Sequence, residues 1–131
     1  MANDAINFRS SCIKTLSAVE VRPDRSNQHE FNGVQALKNL FGLERVSSEA
    51  RFSIRGESVE CISGVTWYDA REAHPSRSEH RLYFQTNNVM AQAQEGDNIV
   101  IGFGRDNSLQ FVLIKNGSQG HSGRIQNWLE E

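Results

Sequence analysis

Apolar side chains along this chain recur mostly at every second position, with one stretch at helical spacing. Ile6 and Phe8, then Cys12 and Leu16, keep a two-residue rhythm in which Ser and Lys fill the alternate places, and residues 9–16 are expected to form a strand. Residues 20–30 hold one aliphatic side chain in eleven positions and a proline, which predicts a long polar loop. Asn32 then stands three residues before Gln35 in a capping-box pattern. Val34, Leu37, Leu40 and Phe41 recur at helical spacing up to Gly42, a suitable C′ residue, so one short amphipathic helix is expected.

From Ala50 the rhythm returns to short β-like runs: residues 51–55, 58–62 after a turn at Gly56, 64–68, 81–86, 98–103 and 109–115. The last two predict a hairpin across Gly104-Arg-Asp-Asn-Ser108, whose Gly, Asp and Asn tolerate positive φ. A helical turn is expected over residues 88–94. Most gaps are too short for the dozen or more residues of a parallel crossover, so the pattern predicts a small, mostly antiparallel barrel with one or two short helices. The segment Gly117-Ser-Gln-Gly-His-Ser-Gly123 has the makeup of a linker, and Ile125, Trp128 and Leu129 beyond it are spaced as one helical turn. The expected division is a barrel domain over residues 1–116 and, over residues 117–131, a linker beginning the connection to a further domain. A C-terminal turn docked on its own barrel is the alternative.

With 131 residues, 37% of them hydrophobic, there is material for one core and no second. No apolar run approaches the roughly 20 residues that span a bilayer, and the first seven residues lack a secretory pattern, so the protein is expected inside the cell. Cys12 and Cys61, far apart and outside any Cys-x-x-Cys, are expected to be buried free thiols. Of the 14 basic residues only Lys14, Lys38 and Lys115 are lysines. Recognition of carboxylate, phosphate or base edges favours the Arg fork, whereas solubility alone does not.

No catalytic pattern accompanies this arginine content. The positions two before each lysine are Cys12, Ala36 and Leu113, so no Asp/Glu-x-Lys nuclease core exists, and the four histidines lack a Lys two residues on. A Gly-x-Ser-x-Gly elbow and a Gly-rich phosphate loop ending in Lys-Ser/Thr are also missing. His74 and His80 alone have metal-like spacing, without a cysteine partner, and Glu72 and Glu79 each sit near an arginine, as surface ion pairs do. Neither catalysis, a metal nor a cofactor is expected.

Chemistry concentrates instead in two polar loops, residues 20–30 and 69–80. Loops of that length usually carry function. Arg71, Arg77 and Arg81 with His74 and His80 place five potential cations in the eleven residues 71–81, the second loop and the strand residue after it; Arg22, Arg25 and His29 decorate the first. A net charge of -2 argues against a protein that coats nucleic acid through bulk charge, but not against one that reads sequence. Arg forks suit guanine O6 and N7, Asn and Gln suit adenine, and a carboxylate accepts from cytosine N4. Arg77-Ser-Glu-His-Arg81 holds both donor and acceptor kinds, yet the composition fits a solvated, salt-bridged surface equally well. If His29, His74 or His80 faces phosphate, affinity should rise between pH 8 and 6.

The run Ile13-Lys14-Thr15-Leu16-Ser17-Ala18 before the first loop, and Arg77-x-Glu79-x-Arg81 closing the second, resemble the N-terminal effector-binding domain of EcoRII-type (type IIE) restriction endonucleases. The order of the other elements agrees, from the helix after the first loop to the strand ending Trp67-Tyr68 and the late hairpin, so the similarity spans about residues 8–115. The resemblance implies a seven-stranded open DNA-binding pseudobarrel whose two loops act as arms in the major groove. It further implies a bacterial cytoplasmic protein, a monomer, that reads a 5′-CCWGG-3′-like site in double-stranded DNA and regulates or targets a covalently linked nuclease domain. By that likeness Arg77, Glu79 and Arg81 are base-reading residues, His80 stands at another basic position, and Arg71, His74, Ser76 and Ser78 belong to the same arm. Lys14 and Ser17 match the approach to the first arm, which reads Arg22-Pro-Asp24-Arg25-Ser26-Asn27-Gln28-His29. The family's first arm is rich in Gly and Thr with a His-Gln pair, and either Gln28 or His29 answers to its histidine. A protein-interaction or autoinhibitory barrel that sets its Arg-rich loops against an acidic partner is the alternative function.

Overall fold

The computed structural model describes residues 8–21, 30–32, 35–71, 79–85, 87–125 and 127–130. The strands are β1 (Phe8–Thr15), β2 (Glu30–Asn32), β3 (Val46–Ile54), β4 (Glu60–Asp69), β5 (His80–Phe84), β6 (Asn98–Gly104), β7 (Leu109–Ile114) and a short β8 (Leu129–Glu130). Helix α1 (Ala18–Val21) follows β1, α2 (Gln35–Phe41) follows β2, and a 3-10 turn spans Met90–Gln92. One mixed sheet runs in the order β2-β5-β4-β3-β7-β6-β1-β8 and curls into a half-barrel. The expectation of a mainly β fold with short helices therefore holds. Every neighbouring pair is antiparallel except β3 with β7, where Arg51 lies beside Gln110 and Ile54 beside Leu113.

Alternation along the strands explains the core. Phe52, Ile54, Val65, Trp67, Leu82, Phe84, Ile99, Ile101, Phe111 and Leu113 point into the concave side, with Leu37 of α2 against them. Phe52 and Phe111 stack with centroids 4.4 Å apart. Strands β6 and β7 read as nearly continuous apolar runs because their outer face is covered too: Ile13, Val100, Val112 and Ile114 form a second cluster under Phe8 and Ile125. Gly102 is required by a close crossing, since a Cβ there would collide with the backbone carbonyl of Ser10, next to the register shift in β1. Gly42 ends α2 at φ 84°, as the sequence predicts, and its N–H donates to Lys38 O at 2.7 Å.

Several boundaries differ from expectation. The runs 58–62 and 64–68 are one strand, β4, because Gly64 stays in the ladder beside Glu49. Strand β3 begins at Val46, its polar first half paired to β4 through Ser47–Thr66 and Glu49–Gly64. A three-residue strand, β2, closes what the pattern shows as loop. Neither cysteine forms a disulfide: the Cys12 thiol is buried and donates to Ala36 O at 3.3 Å, but Cys61 is only partly buried.

The largest correction concerns the tail. None of the described residues 125 and 127–129 is helical, and the segment 117–125 turns back along β1. Thr15 N–H donates to Ile125 O (2.9 Å), Ile125 N–H to Thr15 Oγ1 (2.7 Å), and Thr15 Oγ1–H to Gly123 O (2.9 Å). Buried Asn98 receives Ser122 N–H at 2.6 Å and donates to Gly123 O at 3.1 Å. Asp97, equally buried, receives Lys115 Nζ (2.6 Å), Asn116 N–H (2.8 Å) and Gln94 N–H (2.9 Å), which fixes where the tail departs. Trp128 is buried and β8 pairs with β1, so the tail completes the barrel edge. Of the three apolar residues at i, i+3 and i+4 spacing, Ile125 packs on the outer cluster and Trp128 in the main core, while Leu129 on β8 is exposed.

Candidate nucleic-acid interface

The second polar loop leaves from the rim of the half-barrel between β4 and β5. In that ladder Asp69 pairs with His80, Tyr68 with Arg81 and Trp67 with Leu82. The loop stem is closed by Ala70 N–H donating to Glu79 O at 2.7 Å. Asp69 Oδ1 tightens it further, accepting from Glu79 N–H at 2.7 Å and Arg71 N–H at 2.9 Å. Those two backbone donors, Glu79 first and Arg71 next, hold the Asp69 carboxyl below the ordinary aspartate value.

On this stem Glu79 lies between two guanidinium groups, with Arg81 Nη2 at 3.2 Å and Arg71 Nε at 3.6 Å from Glu79 Oε2. The three side chains are 30 to 48% exposed, so water screens the pairs. Exposed pairs of this kind contribute about 0.2–1 kcal/mol, less than the roughly 1–3 kcal/mol of one bidentate base contact. The cluster can therefore exchange its internal pairs for an outside ligand at small cost. Arg81 and Tyr68 share the outer face, and Arg45 stands with its guanidinium 5.9 Å from the Tyr68 ring. Arg45 is a cation that the pattern reading missed. It falls between the end of α2 and the start of β3, and only the register brings it to the stem.

His80 does not join that surface. Its side chain is buried, its ring stacks on Trp67 at 5.1 Å, and Nε2–H donates to Leu43 O at 2.9 Å. Phe41 stacks on Trp67 as well, at 5.2 Å, and Trp67 Nε1–H donates to Gly42 O at 3.0 Å. Together the indole and imidazole tie down the carbonyls beyond α2. The basic position expected at His80 is thus a core position: β5 alternates, so Arg81 faces out where His80 and Leu82 face in.

At the first loop, Lys14 occupies the end of β1, half-buried with Nζ 3.3 Å from Thr15 O, and Ser17 is exposed just before α1. Arg22, Asp24, Arg25, Ser26, Asn27, Gln28 and His29 lie outside the described residues, as do His74, Ser76, Arg77 and Ser78 of the second loop. What is placed is where both loops are rooted. The first loop returns at Glu30, which pairs with Tyr83, and the second enters β5 at His80. Three residues of strand separate those points, about 10 Å. Between them the outer face presents Arg81 and Tyr83, with Tyr68 and Thr66 alongside in register. The structure thus brings Arg71, Glu79 and Arg81 together at the β4–β5 stem, and β5 pairs with β2, the strand that receives the first loop; Lys14 and Ser17 stand at the loop's other root. Comparison with protein-family models, curated proteins and solved structures gives no significant match.

Proposed function

We propose that this chain is a sequence-reading double-stranded DNA-binding domain that reads a short CCWGG-like site through its two loops and regulates or targets a separate nuclease domain. The observation that carries the reading is the rooting of the two loops on the paired strands β2 and β5, at ladder positions about 10 Å apart along β5, a spacing near the roughly 12 Å width of the B-DNA major groove. Two arms from such roots flank a groove edge without any large movement of the barrel. The Arg71–Glu79–Arg81 cluster supports direct readout over bulk attraction. A carboxylate beside phosphates weakens binding unless a base donor such as cytosine N4 meets it.

The test is a fluorescence-anisotropy titration with a duplex containing CCWGG against one with those base pairs shuffled, at two salt concentrations. A preference on the order of 10³ is expected for a specific site. Weak and equal binding to both duplexes would reject the reading and leave a barrel whose loops face an acidic protein partner.

A further inference from the structure

The returning tail builds a feature that neither loop accounts for. A groove of about 540 Å³ opens beside the root of the first loop, lined by Lys14, Leu16 and Ser17 at the end of β1 and by Arg124 and Ile125 of the returning tail. Leu16 and Ile125 form its apolar part. Lys14 and Arg124, 110 residues apart in sequence, both supply cations to the lining, and Glu95 is the one carboxylate on it among the described residues.

The geometry holding Arg124 is specific. Thr15 bonds both Gly123 O and Ile125 N–H, and Asn98 bonds Ser122 N–H and Gly123 O, so the residues on either side of Arg124 are pinned to β1 and β6. His121 adds a further stitch: Nε2–H donates to Gly96 O at 2.7 Å and Nδ1 accepts Gly123 N–H at 3.1 Å. Both ring nitrogens are used within the protein, so His121 serves the wall and not a ligand. Arg124 itself is exposed and forms no ion pair among the described residues. A guanidinium on a pinned backbone, facing water next to a second cation and a serine hydroxyl, is suited to a phosphodiester.

We propose that this groove is a phosphate-backbone site, with Arg124 and Lys14 gripping a DNA strand beside the first loop. The proposal rests on the DNA-reading assignment above and adds a contact that carries no sequence information. Its role is to fix the register of the duplex while the loops query bases.

The experiment measures Arg124→Ala, Arg124→Lys and Lys14→Ala in the full chain against the CCWGG and shuffled duplexes over a range of salt, with thermal melting as a check on folding. Removing one phosphate contact should weaken binding by the same factor on both duplexes and lower the log–log salt slope by about one. Arg124→Lys should retain most of the slope, since the charge remains. If Arg124→Ala leaves affinity and slope unchanged while the parent protein prefers CCWGG, the groove is not a phosphate site and the sequence-reading assignment stands. If the parent protein shows no preference yet the slope still falls by about one, the sequence-reading assignment fails and the phosphate site stands. A loss confined to CCWGG would make Arg124 a base contact and overturn the proposal, and a parent protein that binds neither duplex overturns both.

Discussion

Phe31 of β2 and Trp128, just before β8, meet edge to face with ring centroids 5.5 Å apart and planes at 85°. These residues belong to opposite ends of the sheet, so this contact closes the open side of the half-barrel without a ladder between the terminal strands. Phe31 also touches Phe84 at 5.4 Å, which carries the contact into the main core. Trp128→Ala is expected to cost about 3 kcal/mol or more, the usual range for an aromatic lost from a core. Urea denaturation measures it. A loss under about 1 kcal/mol would show that the tail adds little to closing the seam.

How much of this was legible in the sequence follows from which forces are local. The α2 helix, its Gly42 terminus, the β6–β7 hairpin and the two polar loops all announce themselves through periodicity or turn residues. The tail does not, because Ser122 and Ile125 are held by Asn98 and Thr15, Trp128 by Phe31 and Leu129 by the pairing with Ile13, all distant in the chain. Likewise His80 carries the same local signals as Arg81, and only the strand's phase decides that one packs on Trp67 and the other faces water. Arg124 escaped notice for a similar reason: a Gly-rich stretch looks like a linker until its backbone is seen bonded to β1.

That phase makes His80 a test of structure rather than of charge. His80→Phe should keep the stack on Trp67 while leaving Leu43 O without its donor, a loss of about 1–2 kcal/mol by denaturation. The salt slope of DNA binding should stay as it was. A slope reduced by about one would mean that the imidazole reaches phosphate after all.

Asp69 makes the second loop's stem sensitive to acid. Its carboxyl is held below the ordinary aspartate value by Glu79 N–H and Arg71 N–H, so the folded pKa lies below the unfolded one. A group of that sign contributes stability that is fully present above the unfolded value, near 3.9, and is lost as pH falls through the folded one. The amide proton resonances of Glu79 and Arg71 should therefore titrate together, with a midpoint lower than that of an exposed aspartate. Midpoints at the ordinary value, or separate ones, would show that no shared carboxylate clasps the stem. Asp69→Asn should make both amides insensitive across the same range.

Glu79 offers the sharpest separation between a sequence-reading surface and a salt-bridged one. It accepts from Arg81 and lies within ion-pair range of Arg71. In a merely solvated cluster, Glu79→Gln would cost a few tenths of a kcal/mol in stability and change nothing specific. In a reading arm the same change removes a negative charge near phosphates and the acceptor for a base amino group. Affinity for the shuffled duplex should then rise severalfold, while the preference for CCWGG falls by a factor equivalent to about 1–3 kcal/mol. Arg81→Ala should do something different: lose about 1–3 kcal/mol on CCWGG with a much smaller loss on shuffled DNA. The opposite directions on shuffled DNA are what matters, because a structural defect in the stem would weaken both variants on both duplexes. Competition anisotropy with the two duplexes resolves these four values, and equal losses for Arg81→Ala on both would reassign that guanidinium to phosphate.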